Sequence, residues 1–64
     1  MKNKQHGWLV AVVIDGYTVY EEFFKTELEA FKERERAYRY NPGVEYVTLD
    51  EVFYDPDTGE YVAA

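Results

Sequence analysis

The sequence predicts an α+β domain with the element order ββαββ, in which a four-stranded, mainly antiparallel sheet carries one helix on one face. Three observations support this fold class. A tight-turn dipeptide joins two apolar segments, a capped segment with helical spacing follows, and two further extended segments flank a turn rich in Pro and Gly. With 64 residues there is room for a single domain. We expect residues 1–6 to form a disordered tail and residues 7–64 to form the domain.

The first hairpin begins with the longest apolar run, residues 8–14. A run without polar alternation is typical of a strand that is covered on both faces. Asp15-Gly16 tolerates the positive φ angles of a type I′ turn, so residues 17–24 are predicted to return as the second strand. A regular two-residue hairpin would then pair Val12 with Val19 and place Phe23 on the same face as Trp8.

The helix is predicted for residues 26–40. Thr26 and Glu29 form a capping box at its start, and Asn41-Pro42-Gly43 ends it, because proline disfavours helical geometry in the preceding residue. Large apolar residues recur along it at helical spacing and are expected to pack on the sheet, with Ala30 and Ala37 flanking them. These packing residues are Leu28, Phe31 and Tyr38.

The second hairpin is predicted from residues 44–49 and 51–54, followed by a turn over residues 55–59 and a short last strand over residues 60–63. The apolar alternation slips near Asp50, which indicates a bulge or a break there.

At the level of element order, this arrangement resembles the immunoglobulin-binding β-grasp modules, and residues 51–62 are similar in layout to their closing hairpin. The resemblance implies an order of elements and no binding residue, since a fold does not fix a function. The segment from Gly43 to Glu51 is longer than in those modules.

The residue types argue against catalysis. The chain contains no serine and no cysteine, and its single histidine, His6, falls in the predicted tail, so no nucleophile with an adjacent base is visible. The segment 55–60 starts like a calcium loop but has its glycine one position early. No acid lies in an apolar segment that would raise its pKa. We therefore expect a protein that is not an enzyme and that uses neither a cofactor nor a metal.

The sequence shows no targeting signal, and its longest apolar run is too short to span a bilayer. The lack of cysteine also fits a reducing compartment. We expect a cytoplasmic protein without membrane contact, located in the host cytoplasm if a phage encodes it.

Charge and aromatic content point to a binding role. The net charge is −6, and residues 40–64 hold six acids and no lysine or arginine. This balance disfavours binding to a nucleic-acid backbone and favours a basic protein partner. The seven tyrosines, four phenylalanines and one tryptophan exceed what a small core can hold, so some are expected at an interface.

The function expected from these features is that of a small acidic binding protein, an inhibitor of a host enzyme or defence system of the kind that phages and mobile elements encode. In that broad class it resembles anti-CRISPR and nuclease-inhibitor proteins. The expected partner contact consists of aromatic residues ringed by acids. Its residues are Tyr20, Glu21, Glu22, Tyr46, Glu51, Tyr54 and Asp55.

Two alternatives remain open at this point. One is a homo-oligomeric sponge that sequesters a small anionic, nucleotide-like signalling molecule on the basic stripe of the helix, although Glu29, Glu33 and Glu35 could instead pair with those bases on a solvated face. The other is a structural or assembly subunit. In each case we expect a homo-oligomer, most simply a two-fold dimer, because one helix cannot cover both apolar faces of the first hairpin. The ligand residues of the sponge would be Lys32, Arg34, Arg36, Arg39 and Tyr40.

Overall fold

A computed structural model describes residues 3–64 and contains one antiparallel sheet with a single helix. The strands lie in the order β2-β1-β3-β4. The predicted ββαββ α+β fold is confirmed. No helix within residues 3–64 is long and apolar enough to cross a membrane. The elements are β1 (Gln5–Ile14), β2 (Tyr17–Phe24), α1 (Glu27–Tyr40), β3 (Tyr46–Asp55) and β4 (Glu60–Ala63).

β1 begins two residues before the predicted start of the domain. Met1 and Lys2 lie outside the described residues, whereas Gln5 and His6 begin β1 and pair with the far end of β3. The prediction that the tail extends to His6 is therefore wrong. The reason is the length of β3, which provides a partner for β1 from Gln5 to Val13.

The turn between β1 and β2 has the predicted type I′ geometry. Asp15 and Gly16 have φ angles of 54° and 81°, both in the left-handed region. The Gly16 N–H donates a hydrogen bond to a side-chain oxygen of Glu45 at 2.9 Å. The loop that leads into β3 thus holds the first turn in place.

A register shift in the first hairpin changes which side chains share a face. Val12 pairs with Tyr20, and the shift lies between Val12 and Val13, so that Val19 is the extra residue of a β-bulge. The predicted pairing of Val12 with Val19 is wrong. Past the bulge every side chain of β2 changes face, because side chains alternate along a strand. Phe24 packs on the core beneath the helix, and Phe23 lies on the opposite face.

The third strand has no bulge, contrary to the prediction near Asp50. Its ladder with β1 is continuous from Tyr46 to Tyr54. The apolar pattern slips because the buried side of β3 changes along its length. Val47 packs in the core under α1, whereas Val52, which lies beyond the helix, is buried on the opposite face.

The helix begins and ends where the sequence predicts. The Thr26 hydroxyl oxygen accepts a hydrogen bond from the Glu29 N–H at 3.3 Å. At the C-terminal end, the backbone N–H and the side-chain amide of Asn41 both donate to the Ala37 carbonyl, at 3.1 Å and 2.8 Å. These local caps satisfy backbone groups that a helix end leaves without partners.

The helix packs on the sheet through two small residues. Ala30 is fully buried and Ala37 is 3% exposed, and both join Val10, Val12 and Val47 in the core. Alanine allows the helix backbone to come close to the strands, so the branched side chains of β1 and β3 fill the space between the two layers.

The three residues expected to form this contact do not lie beneath the helix. Leu28, Phe31 and Tyr38 are 63%, 40% and 49% exposed, so the prediction is wrong. Phe31 and Tyr38 lie on one flank of α1, and the Tyr38 hydroxyl accepts a hydrogen bond from the Val47 N–H at 3.0 Å. The two alanines and the three large residues both recur at helical spacing. The alanines form the contact with the sheet because their small side chains permit closer packing.

The helix covers only part of the sheet. Its 14 residues span about 21 Å, against about 33 Å for the 10 residues of β1. The Cα positions extend over 40 × 23 × 14 Å, and the Cα radius of gyration of 12.2 Å exceeds the roughly 10.7 Å of a compact chain of this length. A long, thin sheet therefore keeps large areas without a second layer.

The helix orientation can be tested by enlarging a buried residue and truncating an exposed one. Ala30→Leu is expected to destabilise the fold by about 1–3 kcal/mol, because the added atoms have no space between helix and sheet. Leu28→Ala, as the control, is expected to change stability by no more than about 0.5 kcal/mol. Urea denaturation followed by Trp8 fluorescence measures both. A larger loss for Leu28→Ala would show that the helix packs through its large residues.

Candidate binding face of the sheet

Within residues 3–64, the side of the sheet that faces away from α1 has no second layer, and we call it the open face. Strand pairing places on it every second residue of each strand. Its members are Gln5, Gly7, Leu9, Ala11 and Val13 of β1, Thr18, Glu21 and Phe23 of β2, Tyr46, Thr48, Asp50, Val52 and Tyr54 of β3, and Tyr61 and Ala63 of β4.

Three aromatic rings from three strands meet on the open face. The ring centroids of Phe23 and Tyr54 are 5.7 Å apart, those of Phe23 and Tyr61 are 6.1 Å apart, and those of Tyr54 and Tyr61 are 5.1 Å apart. These separations are in the range of favourable aromatic pairs. Because β2 and β4 are the two edge strands, the rings span the full width of the sheet. We call these three rings the aromatic bridge.

The aromatic bridge depends on the absence of a side chain at Gly7. A Cβ atom at this buried position would lie 2.4 Å from Cζ of Phe23 and 2.4 Å from the carbonyl oxygen of Phe24. Phe23 therefore passes over the Gly7 backbone to reach the tyrosines. Glycine here permits a close approach between a ring and a strand.

The bridge covers the end of the open face at which Gly7 and Val52 lie. Ala11, Val13 and Val52 are buried, although no helix lies above them, and the three rings of the bridge are themselves half-buried. Tyr46 is more exposed and lies at the other end of the face. The open face thus presents an apolar and aromatic surface that its own side chains only partly cover.

The four strands carry acidic residues and, apart from His6, no basic one. The four strands contain no lysine and no arginine, and the open face carries Glu21 and Asp50. Burial raises the pKa of Tyr61, and the Glu21 carboxylate and Tyr54 raise it further. The six acids of the strands are Glu21, Glu22, Asp50, Glu51, Asp55 and Glu60.

The structure divides the predicted partner residues between the two faces. Glu21, Tyr46 and Tyr54 belong to the open face. Asp55 lies at the end of β3, where its side chain accepts a hydrogen bond from the Asp57 N–H at 3.0 Å. The remaining three, Tyr20, Glu22 and Glu51, lie on the helix side of the sheet. Alternation along the strands separates these neighbours in sequence, so the seven residues do not form one surface.

On the helix side, the Tyr20 hydroxyl donates a hydrogen bond to the Glu22 carboxylate. This bond, with smaller effects of burial and of the surrounding charges, raises the pKa of Tyr20 to about 12. The pair lies beside α1 at the edge of the sheet, where α1 makes fewer contacts with β2 than with β1 and β3.

A second cluster, which sequence reasoning missed, surrounds His6 beyond the end of α1. The His6 ring centroid is 5.0 Å from that of Trp8 and 5.3 Å from that of Phe53, and its Nε2 lies 2.5 Å from a carboxylate oxygen of Glu51. The signal was present in the sequence, because His6 continues the alternation of Trp8 and Val10 along β1. His6 and Glu51 are both half-exposed, and their contact joins β1 to β3.

The basic residues proposed for a ligand lie on the outside of α1. Lys32, Arg36, Arg39 and Tyr40 line a shallow groove together with Glu35. All of these residues come from one helix, so the groove has only one wall. The fifth residue, Arg34, lies elsewhere, with its guanidinium 4.9 Å from the ring centroid of Phe31. Among residues 3–64 no acid of α1 lies within salt-bridge distance of these bases, and the only contact at that distance joins His6 and Glu51.

Comparisons with protein-family models, with curated proteins and with solved structures found no match for this chain. Within the described part of the chain, no group of three or more His, Asp or Glu side chains is placed to hold a metal ion.

The aromatic bridge can be tested at Gly7. Gly7→Ala is expected to destabilise the fold by about 1–3 kcal/mol, because the new methyl group would displace Phe23 and press on the β2 backbone. Gly43→Ala is the matched control, since nothing lies within 4 Å of its Cβ position. Chemical denaturation measures stability, and near-ultraviolet circular dichroism reports the packing of the rings. Equal stabilities for the two variants would contradict the placement of Phe23 over Gly7.

The raised pKa of Tyr61 predicts a loss of stability at alkaline pH. An unfolded tyrosine ionises near pH 10, whereas the folded protein holds Tyr61 protonated to higher pH. Its contribution is thus complete below about pH 10 and is lost as pH rises through the folded pKa. The unfolding free energy of the parent minus that of Tyr61→Phe should therefore fall above about pH 10. A difference that stays constant across this range would show that the Tyr61 hydroxyl is not shielded.

Proposed function

We propose that this chain is a non-catalytic protein-binding domain that docks onto a basic surface of a partner protein through the open face of its sheet. One observation carries the proposal: the open face combines the aromatic bridge with Glu21 and Asp50, and no strand contains a lysine or an arginine. Such a surface complements a partner that presents arginine and lysine around an apolar contact.

The two parts of the open face would contribute differently to binding. The aromatic bridge supplies half-buried rings that a partner can bury completely, and buried aromatic anchors account for most of the energy in protein interfaces. Glu21 and Asp50 lie next to this centre and would attract a basic partner over a distance, which raises the association rate more than the final affinity.

The proposal includes inhibition of the partner. A basic surface on a host enzyme or defence protein is the kind of surface that binds nucleic acid, because basic side chains neutralise phosphates. A domain that covers such a surface with carboxylates would compete with the nucleic acid for it. This is the inhibitor function that the sequence predicts for a phage or mobile element, and it needs no catalytic residue.

A second copy of the chain is the competing occupant of the open face. Two open faces packed on each other would bring Glu21 and Asp50 of one copy near the same acids of the other, without a basic side chain of the sheet to pair with them. Opposed like charges disfavour an interface. The charge distribution therefore favours a basic partner over the predicted homodimer, and sedimentation distinguishes the two.

A second candidate function is the binding of a small anion, as in the sponge hypothesis. The supporting observation is that four of the five predicted ligand residues, Lys32, Arg36, Arg39 and Tyr40, line one groove on α1. A groove with a single wall would need a second copy of the chain to enclose a nucleotide. A rise in melting temperature with added cyclic dinucleotide, lost in Arg36→Ala/Arg39→Ala, would favour this function over the first.

Charge reversal tests the docking face. In the double variant Glu21→Lys/Asp50→Lys, association with a nucleic-acid enzyme that the parent inhibits should slow by at least about tenfold at low salt, because the attraction becomes repulsion. The matched control is Glu35→Lys/Asp57→Lys, which changes the net charge equally at exposed positions outside the open face. It should remain within about twofold of the parent. Surface plasmon resonance at two salt concentrations measures the rates.

Two results would contradict the proposal. The first is an equal slowing of association in both double variants, which would show that the rate depends on net charge and not on the open face. The second is a panel of basic nucleic-acid enzymes of which the parent binds none.

A further inference from the structure

We infer that the partner contributes an extended basic segment that pairs with the outer edge of β2 as a fifth strand of the sheet. This inference rests on the proposed function and specifies how the partner binds. The open face alone measures roughly 500 Å², from the spacing and length of its strands. A standard interface buries about 800 Å² on each partner, so further contact beyond the face is required.

The outer edge of β2 is free to accept a strand. β2 is an end strand of the sheet, and none of its eight residues is fully buried. The helix leaves it largely uncovered, since α1 packs mainly on β1 and β3. An edge strand of this kind carries backbone donors and acceptors that lack a partner within the sheet.

The register shows which groups of β2 point outward. Ile14 and Tyr17 close the two-residue turn and form a hydrogen-bonded pair. Because such pairs alternate along an antiparallel ladder, Ile14 and Val12 direct their backbone N–H and C=O groups toward β2. A contact on the other side of β1 agrees with this direction. Val47 pairs with Val12, and its N–H points away from β1 to the Tyr38 hydroxyl, so the backbone groups of Val12 do not bond to β3 and point toward β2. Tyr20, paired with Val12, therefore faces inward.

The same alternation continues along β2 beyond Tyr20. Glu22 faces β1, and the N–H and C=O groups of Glu21 and Phe23 face outward. These are the groups that an added strand would engage. Their side chains belong to the open face, so the edge and the proposed docking face form one continuous surface.

The opposite edge of the sheet is less accessible. β4 covers one half of β3, the Ala64 N–H donates to the Glu51 carbonyl at 3.1 Å, and the Tyr38 hydroxyl accepts from the Val47 N–H. Three contacts thus occupy much of that edge. In the part of the chain that the structure describes, the β2 edge has no comparable cover and is the site of choice for strand addition.

Charge identifies the added strand as a basic one. Glu21 and Glu22 project to opposite faces at the same point of the edge, and β2 contains no lysine or arginine. A second copy paired antiparallel about this point would place four carboxylates around the two-fold axis. Two adjacent arginines in an added strand would instead point to opposite faces of the sheet. Each guanidinium would then lie on the same face as one of the two glutamates and could pair with it.

A groove between α1 and β2 offers room for a long side chain of the added strand. It has a volume of about 290 Å³ and lies directly beside the β2 edge on the helix side. An arginine can lay its apolar stem along the apolar lining of this groove and direct its charged end toward Glu33. The groove is lined by the apolar side chains of Val12, Val19 and Ala37 and by Tyr20, Glu33 and Asn41.

The test uses a synthetic peptide as the probe. It has the length of β2, 8 residues, alternates threonine and valine, and carries two adjacent arginines at its centre. Its control has two glutamates in place of the arginines. Binding of the arginine peptide should slow amide hydrogen exchange at Glu21 and Phe23 by at least about tenfold, because their N–H groups gain acceptors. The glutamate peptide should leave exchange unchanged.

Two variants at one position separate backbone pairing from charge. Glu21→Gln removes the charge and should weaken peptide binding by about tenfold. Glu21→Pro also removes the outward N–H, which an edge strand tolerates, and should weaken binding by roughly another tenfold or more. Hydrogen exchange on the unaltered chain gives a second readout in case the proline variant does not fold.

The outcomes separate this inference from the proposed function. Slower exchange at Glu21 and Phe23 with the arginine peptide supports strand addition. Peptide binding that leaves those amides unprotected, or no binding of the arginine peptide at all, overturns it. In either of these cases, an enzyme interaction that Glu21→Lys/Asp50→Lys still slows would leave the proposed function standing. If the arginine peptide fails to protect these amides and the double variant also fails to slow the enzyme interaction, both proposals are wrong.

Discussion

The architecture follows from one constraint: a helix of 14 residues has to protect a sheet whose central strands are 10 residues long. The helix protects the middle of one face by placing Ala30 and Ala37 against the valines of β1 and β3. Everything beyond it needs another cover. On the open face that cover is the aromatic bridge, which exists because Gly7 leaves room for Phe23. β1 is thus covered by the helix on one face and, near Gly7, by the aromatic bridge on the other.

The same constraint links stability to function. In a larger domain a second layer would cover the aromatic rings, whereas here they stay half-buried and available to a partner. Residues that stabilise the open face would then also bind, so a variant that weakens the bridge alters both properties. The acids are separable from this role, because Glu21 is exposed and Asp50 lies at the surface. Charge reversal can therefore test binding with little effect on the fold.

Features that depend on local chemistry were predictable from the sequence. The Asp15-Gly16 turn and the Thr26 cap each involve a few neighbouring residues, and both form as predicted. Features that depend on distant contacts were not. The helix orientation depends on how closely the helix can approach the sheet, which spacing alone does not reveal for Ala30 and Leu28. The bulge at Val19 moves Glu21 and Glu22 to faces opposite those of a regular hairpin, so the face on which each acid lies could not be predicted from the sequence.

The most direct test of this account is a nuclear Overhauser measurement on the side-chain ring protons of Phe23. The bulge and the space above Gly7 place this ring 6.1 Å from the ring centroid of Tyr61, although the two residues belong to opposite edges of the sheet. The account predicts cross-peaks between Phe23 and both Tyr61 and Tyr54. A regular hairpin would turn Phe23 to the helix side. Cross-peaks from Phe23 to Ala30, with none to Tyr61, would contradict the bulge, the aromatic bridge and the binding face built on them.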